Sequence, residues 1–473
     1  MKLVAVAAYV LLVGLPGAAL ACRRSHLTLV VAPAAAGLVS GSAAIAAIAT
    51  GTRLAPWVVL IAGAAWLALG VSLRRDPWRP TFTPARLAEL GAAALPLTPF
   101  LYAVRTPPTS QDLHHIWLFH ARWLHAGGEA AREAMANAAY LPSHPSYPPL
   151  APAADATIWA VWNGGDPWVA SANHLVFTLA AVALLGAVLA SVLPGPRLAV
   201  LGATAVLSPT LVGLSRATTF RGQLDLAWSV LALTAAVGLL VAPKSRRDLL
   251  GPALVALAAG LLTKSDAAPA FGVIAAAALW RHGRERRLAA LVVVAALPGL
   301  AWMALANLVS DLPEGTLQPA KVIDLVRADP QIVDRLRPTL SALWTELGSS
   351  LAVAAVATAI GAVALRRDRR AHGLGSCGWL AGLVAAHLAA LVVIYLTGFW
   401  DITWWLNTSV ERSAMIARAA VAVELVVWVS VGFAALFPGP ADRATAEATG
   451  TAPAAGAGRH FEPAGPVAVH HET

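Results

Sequence analysis

Long apolar runs separated by short polar or charged connections dominate this chain. Most runs are close to twenty residues long, which is the length of a helix that crosses the hydrocarbon core of a bilayer. The alternation of apolar and polar positions that is typical of strands is absent from them. The pattern predicts an all-α polytopic membrane protein with a bundle of about thirteen spans, near 3–21, 27–50, 55–73, 87–104, 169–193, 198–214, 224–242, 249–263, 267–280, 288–309, 345–365, 374–397 and 413–437.

The composition agrees with membrane insertion. Of the 473 residues, 58% are hydrophobic and only 12% are charged. Water-soluble domains carry about twice that charged fraction, and the mean hydropathy of +0.67 is correspondingly high.

The positive charges fall on alternate connections, which predicts an orientation because cytoplasmic loops retain Lys and Arg. We expect a multi-pass protein of the plasma (inner) membrane with its N-terminus outside and its C-terminus in the cytoplasm. The net charge of +9 then follows from topology, and no nucleic-acid partner is needed to explain it. The clusters are Arg23–Arg24, Arg74–Arg86, Lys244–Arg247, Arg281–Arg287 and Arg366–Arg370.

Three regions follow from this pattern. Residues 1–86 form extra N-terminal spans, residues 87–437 the main membrane module, and the Ala-, Gly- and Pro-rich residues 438–473 a disordered tail. The first apolar segment also resembles a signal peptide, but we favour a retained helix because the charge alternation requires it. Cys22 and Cys377 are the only cysteines, which makes a disulfide framework implausible.

The first outer loop, residues 105–168, is predicted to hold helices on the membrane surface. Residues 111–126 have an apolar side that includes Ile116 and Trp117 and a polar side that includes Arg122. Further helical pieces are expected at about 129–138 and 150–162.

A proline-rich stretch, YLPSHPSYPPLAP at residues 140–152, follows within that loop. Proline cannot continue a helix and pushes the preceding residue to extended geometry, so we expect a stiff, non-helical loop. It either holds His144 and Tyr147 over a cavity or simply connects two surface helices.

Asp112 begins the predicted surface helix. It is either an ordinary acidic residue near a helix N-terminus or a general base just outside the membrane. The nearby histidines, His114, His115, His120, His125 and His144, suggest a zinc site only weakly, because the i, i+4 spacing of helical ligands is absent.

Three further charged or aromatic clusters are predicted on the same face. The stretch SRATTFRGQLDLAW contains Arg216, Arg221 and Asp225, and LLTKSDAAP contains Lys264 and Asp266. The stretch FWDITWWLNTSVERSAM contains Asp401, Trp404, Trp405 and Arg412. Cations beside aromatic rings suit a phosphate and a sugar, and charges that merely mark helix ends are the alternative.

These motifs, in this order over about residues 105–412, resemble the GT-C superfamily of membrane glycosyltransferases. Protein O-mannosyltransferases and the lipid A aminoarabinose transferase are of that type, and bacterial members with extra N-terminal spans are most similar. The matching stretches are DLHHIWLFHA (112–121), HPSYP (144–148), GQLDL (222–226), TKSDA (263–267) and YLTGFWDITWWLNTSVER (395–412).

The chain departs from the family pattern at four places. His120 stands where the family has Lys, and Ser146 where it has Asp. Asp266-Ala267 replaces Glu-Gly, and Trp405 replaces His. These departures bear on the donor phosphate and on the choice of sugar.

The resemblance implies inverting transfer of a sugar from a polyprenyl-phosphate donor to a lipid, glycan or protein acceptor at the outer face. Asp112 would be the general base. No cofactor is implied, although a divalent metal stays possible. The substrate-binding residues would be His120, His144, Tyr147, Arg221, Asp225, Lys264, Asp266, Asp401, Trp404 and Arg412.

Two other classes remain open. A transporter or flippase would need a polar path through the bundle, whereas an enzyme needs Asp112, Lys264 and Arg412 around one outward-opening cavity. A GT-C-like membrane partner without activity is the third possibility.

Overall fold

The computed structural model describes residues 2–22, 27–75, 111–162, 165–194, 200–202, 224–243, 245–310, 327, 330–365, 367–398 and 400–436. Helices make up nearly all of these residues. They are α1 (Lys2–Tyr9), α2 (Leu15–Ala21), α3 (Thr28–Thr50), α4 (Leu54–Arg75), α5 (Leu118–Ala126), α6 (Gly128–Ala136), α7 (Leu150–Trp162), α8 (Pro167–Val192), α9 (Asp225–Ala236), α10 (Leu250–Leu261), α11 (Ala268–His282), α12 (Arg286–Val309), α13 (Leu336–Ala364), α14 (Arg367–Thr397), α15 (Ile402–Ser413) and α16 (Met415–Leu436).

The protein is an all-α polytopic membrane protein. Within the described residues, eight helices are long and apolar enough to cross a membrane, so the predicted count of thirteen is not confirmed. The predicted span near 87–104, and nearly all of the one near 198–214, lie outside the described residues. Helices α10 and α11, with 12 and 15 residues, are about 18 and 22 Å long at 1.5 Å per residue, short of a 30 Å hydrocarbon core.

One end of the bundle, here the arginine end, is where α8, α9 and α11 finish and α10 and α12 begin. Arg246, which follows α9, donates from its guanidinium to the carbonyl of Ser191 at the end of α8. The Arg281 guanidinium donates to the Ala242 carbonyl over 3.1 Å. The charge clusters around 246 and 281–287 therefore lie together, as the alternation of charges predicts.

The opposite end, here the loop end, is where α3 finishes and α4 begins. The backbone N–H of Gly128 donates to the Thr52 carbonyl over 2.7 Å, and a Cβ at Gly128 would lie 2.0 Å from the Ala47 oxygen. Only glycine permits this approach, so helices α5 and α6 of the first outer loop are fixed against the end of α3.

The amphipathic helix at 111–126 forms as predicted, with one irregularity. Leu113, Ile116 and Trp117 are buried, while His115 and Arg122 are exposed. Residues Leu113–Trp117 adopt a π-helical turn directly after Asp112.

Helix α7 occupies the predicted 150–162 but does not lie on a surface. Its residues from Leu150 to Trp159 are all buried, including Asp155, and only its last three residues are exposed. Its apolar and small side chains pack into the bundle, because a helix with no polar face has none to offer to water.

Two connections between predicted spans are partly helical. Residues 310–344 include the first turns of α13, which begins at Leu336. Residues 398–411 include α15, which starts after Asp401 because that carboxylate accepts a hydrogen bond from Trp404 N over 2.8 Å, an N-cap.

Candidate functional site

Four separate segments form the candidate site. They are the first turn of the 111–126 helix, the proline-rich stretch, the turn between α10 and α11, and the last turn of α15. Asp225, at the start of α9, lies beneath them. The sequence predicts each segment separately, and the structure joins them through ion pairs and ring contacts.

Asp112 and Arg412 form an ion pair across 300 residues of chain. Their side chains keep 23% and 22% of their surfaces exposed, so this pair lies toward the open side of the site. The Nε of Arg412 is buried and has no hydrogen-bond partner among the described residues. The guanidinium therefore retains a donor for a further acceptor.

Lys264 lies deeper and is held by two carboxylates. Its Nζ is 2.8 Å from Asp225 Oδ1 and 3.2 Å from Asp266 Oδ2. The side chains of Lys264 and Asp225 are only 4% and 2% exposed. Burial alone would lower the pKa of Lys264, but the charges of Asp225 and Asp266 outweigh it and raise the pKa. The lysine is thus a fixed positive charge.

The proline-rich stretch covers Lys264. The Tyr147 ring centroid is 5.8 Å from Lys264 Nζ, within cation–π range. His144 stacks on Tyr147 with 4.6 Å between ring centroids. His144 has a left-handed backbone at φ 53°, an uncommon conformation outside glycine that turns the imidazole onto the tyrosine. This segment was expected to be wholly non-helical, yet Ala138–Ser143 forms a 3-10 turn, which Pro142 tolerates.

Two hydrogen bonds fix this stretch deep in the bundle. Leu150 N donates to the Leu262 carbonyl over 3.0 Å, and Trp302 Nε1 donates to the Ser146 carbonyl over 2.9 Å. A Cβ at Gly41, in the middle of α3, would meet both Leu262 and Leu150 within 3.4 Å. Gly41 is nine residues before the end of α3, so this contact is recessed by about 13 Å from the loop end.

Burial also sets the ionisation of the two aromatic groups. Burial lowers the pKa of His144 to about 4, against a smaller opposing effect of Asp266. Burial raises the pKa of Tyr147, and Asp266 raises it further. Both groups are therefore neutral at pH 7 and can take part through hydrogen bonds and ring contacts.

Charge balance is a distinctive property of the cluster. Three carboxylates, Asp112, Asp225 and Asp266, face two cations, Lys264 and Arg412. An anionic ligand must therefore compete with a carboxylate for a cation. Since Asp112–Arg412 is the more exposed pair, it is the one that a ligand reaches first.

The remaining predicted site residues lie outside these contacts. His120 is buried and stacks on Trp123 at 4.5 Å, and burial lowers its pKa to about 3. Asp401 caps α15, and Trp404 beside it is 50% exposed. Arg216 and Arg221 are outside the described residues.

The suspected zinc ligands do not converge. His120 faces Trp123 and His144 faces Tyr147. In the described part of the chain, no three His, Cys, Asp or Glu side chains are grouped so that they could hold a metal ion.

Sequence reasoning missed a second polar cluster inside the bundle. Asp155 of α7 is fully buried and accepts from Asn173 Nδ2 over 2.9 Å, and its other oxygen lies 2.9 Å from His174 Nε2. Trp117 packs edge-on against His174 at 6.4 Å. The signal was present, because an ionisable residue within an apolar run is unusual.

Neither a family model, nor a curated protein, nor a solved structure matches this chain.

Proposed function

We propose that this chain is a membrane glycosyltransferase that moves a sugar from a polyprenyl-phosphate donor to an acceptor hydroxyl, with inversion at the anomeric carbon. The observation that carries the proposal is the Asp112–Arg412 ion pair beside the buried Lys264. A carboxylate next to two cations provides a base for the acceptor and positive charge for a departing phosphate.

In the proposed reaction the acceptor oxygen attacks the anomeric carbon. The bond from that carbon to the phosphate oxygen breaks, and its electron pair leaves with the polyprenyl phosphate. The acceptor proton goes to a carboxylate oxygen of Asp112. Direct displacement inverts the anomeric centre.

Arg412 has two roles in this proposal. It forms an ion pair with Asp112 and neutralises its charge. A donor phosphate would take over the guanidinium through the unpartnered Nε and a terminal nitrogen. Asp112 would then lose its ion pair as the donor binds, and its carboxylate would be released to accept the proton.

Lys264 would act as a fixed electrostatic partner. Its two carboxylates hold it in place before any substrate arrives, so little reorganisation is needed when charge develops on the phosphate. Tyr147 and His144 would form the wall against which the sugar packs.

The orientation belongs to the same proposal. The arginine end would face the cytoplasm, as the distribution of Lys and Arg favours. The loop end would face outward, in the plasma membrane, where the lipid-linked donor and a lipid, glycan or protein acceptor meet.

The experiment is transfer by the full chain in proteoliposomes. Defined polyprenyl-phosphate sugars are supplied as donors, and products are identified by mass spectrometry. We expect release of polyprenyl phosphate and a glycosylated acceptor, both dependent on Asp112. Failure with every donor by a folded, inserted chain would count against the proposal.

Transport of a lipid-linked substrate is a second candidate, because the buried Asp155, Asn173 and His174 place polar groups among apolar helices. It predicts that the donor changes leaflet without chemical change. Movement of intact donor that depends on Asp155 and is insensitive to Asp112 would favour it.

A further inference from the structure

A groove of about 900 Å³ lies at the arginine end, away from Asp112 and Lys264. Helices α3 and α10 form its floor, and α2, α4 and α12 contribute its sides. The lining is mostly aliphatic, with Leu38, Leu254, Val255, Leu291 and Val294 among its residues, and its charged residues are gathered at one end. Its volume lies in the range of ligand-sized cavities.

Close contacts between helices bound the groove. A Cβ at Gly251 would lie 1.8 Å from the Ala21 oxygen, so α10 touches α2 near the arginine end. A Cβ at Gly299 would lie 2.7 Å from Leu261 Cβ, so α12 meets α10 just beyond Pro298, where the lining ends.

The groove opens to the surroundings along α12. Leu291 and Val294 are 43% and 58% exposed although they are apolar. A water-filled groove would leave these side chains hydrated, whereas a bilayer places them against acyl chains. The groove therefore opens into lipid.

Arginines stand at the groove's outer rim. Arg247, Arg286 and Arg287 line it and are exposed, together with the exposed Glu285, so the rim has a formal charge of +2. Among the described residues none of the three has an ion-pair partner, in contrast to neighbouring Arg246, which pairs with Asp248 over 2.9 Å. Three cations thus remain available to an anion from outside the chain.

The length of the groove along α12 matches the thickness of one leaflet of a bilayer. From Arg286 to Pro298, α12 rises about 18 Å, close to one leaflet of a 30 Å hydrocarbon core. The charged rim then lies at the level of the headgroups, and the apolar channel lies at the level of the acyl chains.

We propose that this groove binds an anionic glycerophospholipid from the leaflet at the arginine end. The lipid phosphate and headgroup lie on Arg247, Arg286 and Arg287, and one acyl chain lies along α10 and α12 toward Pro298. The site is independent of the proposed transferase chemistry, since it lies at the opposite end of the bundle.

The test is lipid retention by the purified full chain. Detergent-solubilised protein is incubated with equal amounts of palmitoyl-oleoyl phosphatidylglycerol and phosphatidylcholine, and bound lipid is counted by native mass spectrometry. We expect selective retention of phosphatidylglycerol. In the variant R247Q/R286Q/R287Q the ratio of bound phosphatidylglycerol to bound phosphatidylcholine should be at least tenfold lower, because each basic residue strengthens binding at an anionic surface about fivefold.

A second triple variant controls for net charge. R53Q/R122Q/R284Q removes three exposed arginines that do not line the groove and should keep the selectivity. Equal loss in the two triple variants would overturn the proposal, as would equal retention of the two lipids by the unaltered chain.

Filling the groove separates the acyl-chain contact from the headgroup contact. Val255→Trp should reduce retention of both lipids, whereas Val356→Trp, at a 58% exposed position on α13, should not. Unchanged retention by a folded Val255→Trp protein would contradict the proposed channel. Cross-linking of residue 255 to residues 87–104 of the same chain would identify that segment as the occupant and overturn the proposal.

Discussion

The two ends of the bundle handle charge in different ways. At the loop end, Lys264 and Arg412 are paired with carboxylates and partly or wholly buried. At the arginine end, Arg286 and Arg287 are exposed and no carboxylate holds them within the described residues. The cations of the candidate site are thus neutralised within the chain, whereas those at the rim of the groove stay exposed to the surroundings.

Replacing Asp112 with Asn tests the loop end most strongly. The amide keeps the size of the side chain but cannot accept the acceptor's proton. We expect transfer to fall by about 10²–10⁴-fold, the range typical of lost general-base catalysis, with membrane insertion unchanged. Turnover in proteoliposomes is the measurement. Glu129→Gln, at an exposed acidic position of the same end, is the matched control, and near-full activity of Asp112→Asn would refute the base assignment.

Replacing Lys264 with Met tests whether the paired charges depend on one another. It leaves Asp225 buried without its cation, and loss of one partner of a buried pair costs about 3–5 kcal/mol. Denaturant unfolding in detergent measures the effect. The double variant K264M/D225N should recover most of the loss, because the fully buried Asp225 is then neutralised and the remaining carboxylate, Asp266, is 17% exposed.

The arginine end supplies the comparison for that experiment. Arg286→Gln should change the free energy of unfolding by no more than about 0.5 kcal/mol, as is usual for exposed positions. An equal loss of stability at the two ends would erase the distinction between them.

Acidification should loosen the loop end selectively. Burial lowers the pKa of His144 to about 4, whereas the unfolded-state value is about 6.5. The folded state therefore binds fewer protons than the unfolded state. The contribution of neutral His144 to the free energy of unfolding is fully present above about pH 6.5 and is lost as the pH falls toward 4. The charged groups that act on His144 are Asp112, Lys264, Asp266 and Arg412.

Hydrogen exchange at pH 7.5 and 4.5 measures this effect. After correction for the intrinsic pH dependence of amide exchange, residues 138–150 should lose protection at the lower pH, and the protection of residues 250–258 of α10 should change little. His144→Gln should reduce the difference, and an unchanged response in that variant would show that His144 is not its source.

A smaller effect than that of Lys264→Met is expected from Trp302→Phe. It removes the hydrogen bond from the indole N–H to the Ser146 carbonyl while keeping an aromatic ring. We expect a loss of about 1 kcal/mol, the usual net contribution of one such bond, measured by unfolding. Replacing the exposed Trp344 of α13 with Phe should have no measurable effect.

Much of the fold was predictable because a bilayer sets the length of its helices. The apolar runs of α3, α4, α8 and α12 predict those helices closely. The depth of the turn at Lys264 was not predictable, because it depends on α10 being short and on Leu150 pairing with Leu262. No local pattern specifies a contact between residues more than a hundred positions apart.

The candidate site was predictable in part from its sequence motifs. Ordered motifs selected Asp112, Lys264 and Arg412, and the structure joins Asp112 directly to Arg412. The cap formed by Asp401 and the stacking of His120 were not foreseen, since each depends on a local backbone or ring geometry. Their roles as substrate ligands stay predictions.

The π-helical turn at Leu113–Trp117 has a consequence for how the chain tolerates changes in length. A π turn accommodates one residue more than the same stretch of α-helix. Deleting a single residue there would restore a regular helix and leave α5 anchored by its buried side chains. Because the π turn holds the surplus residue, the segments on either side would keep their relative orientation, and the carboxylate of Asp112 would stay within reach of Arg412. A one-residue deletion in the π turn would thus preserve the ion pair, whereas a deletion within the regular helix Leu118–Ala126 would rotate the preceding segment by about 100° and separate the pair.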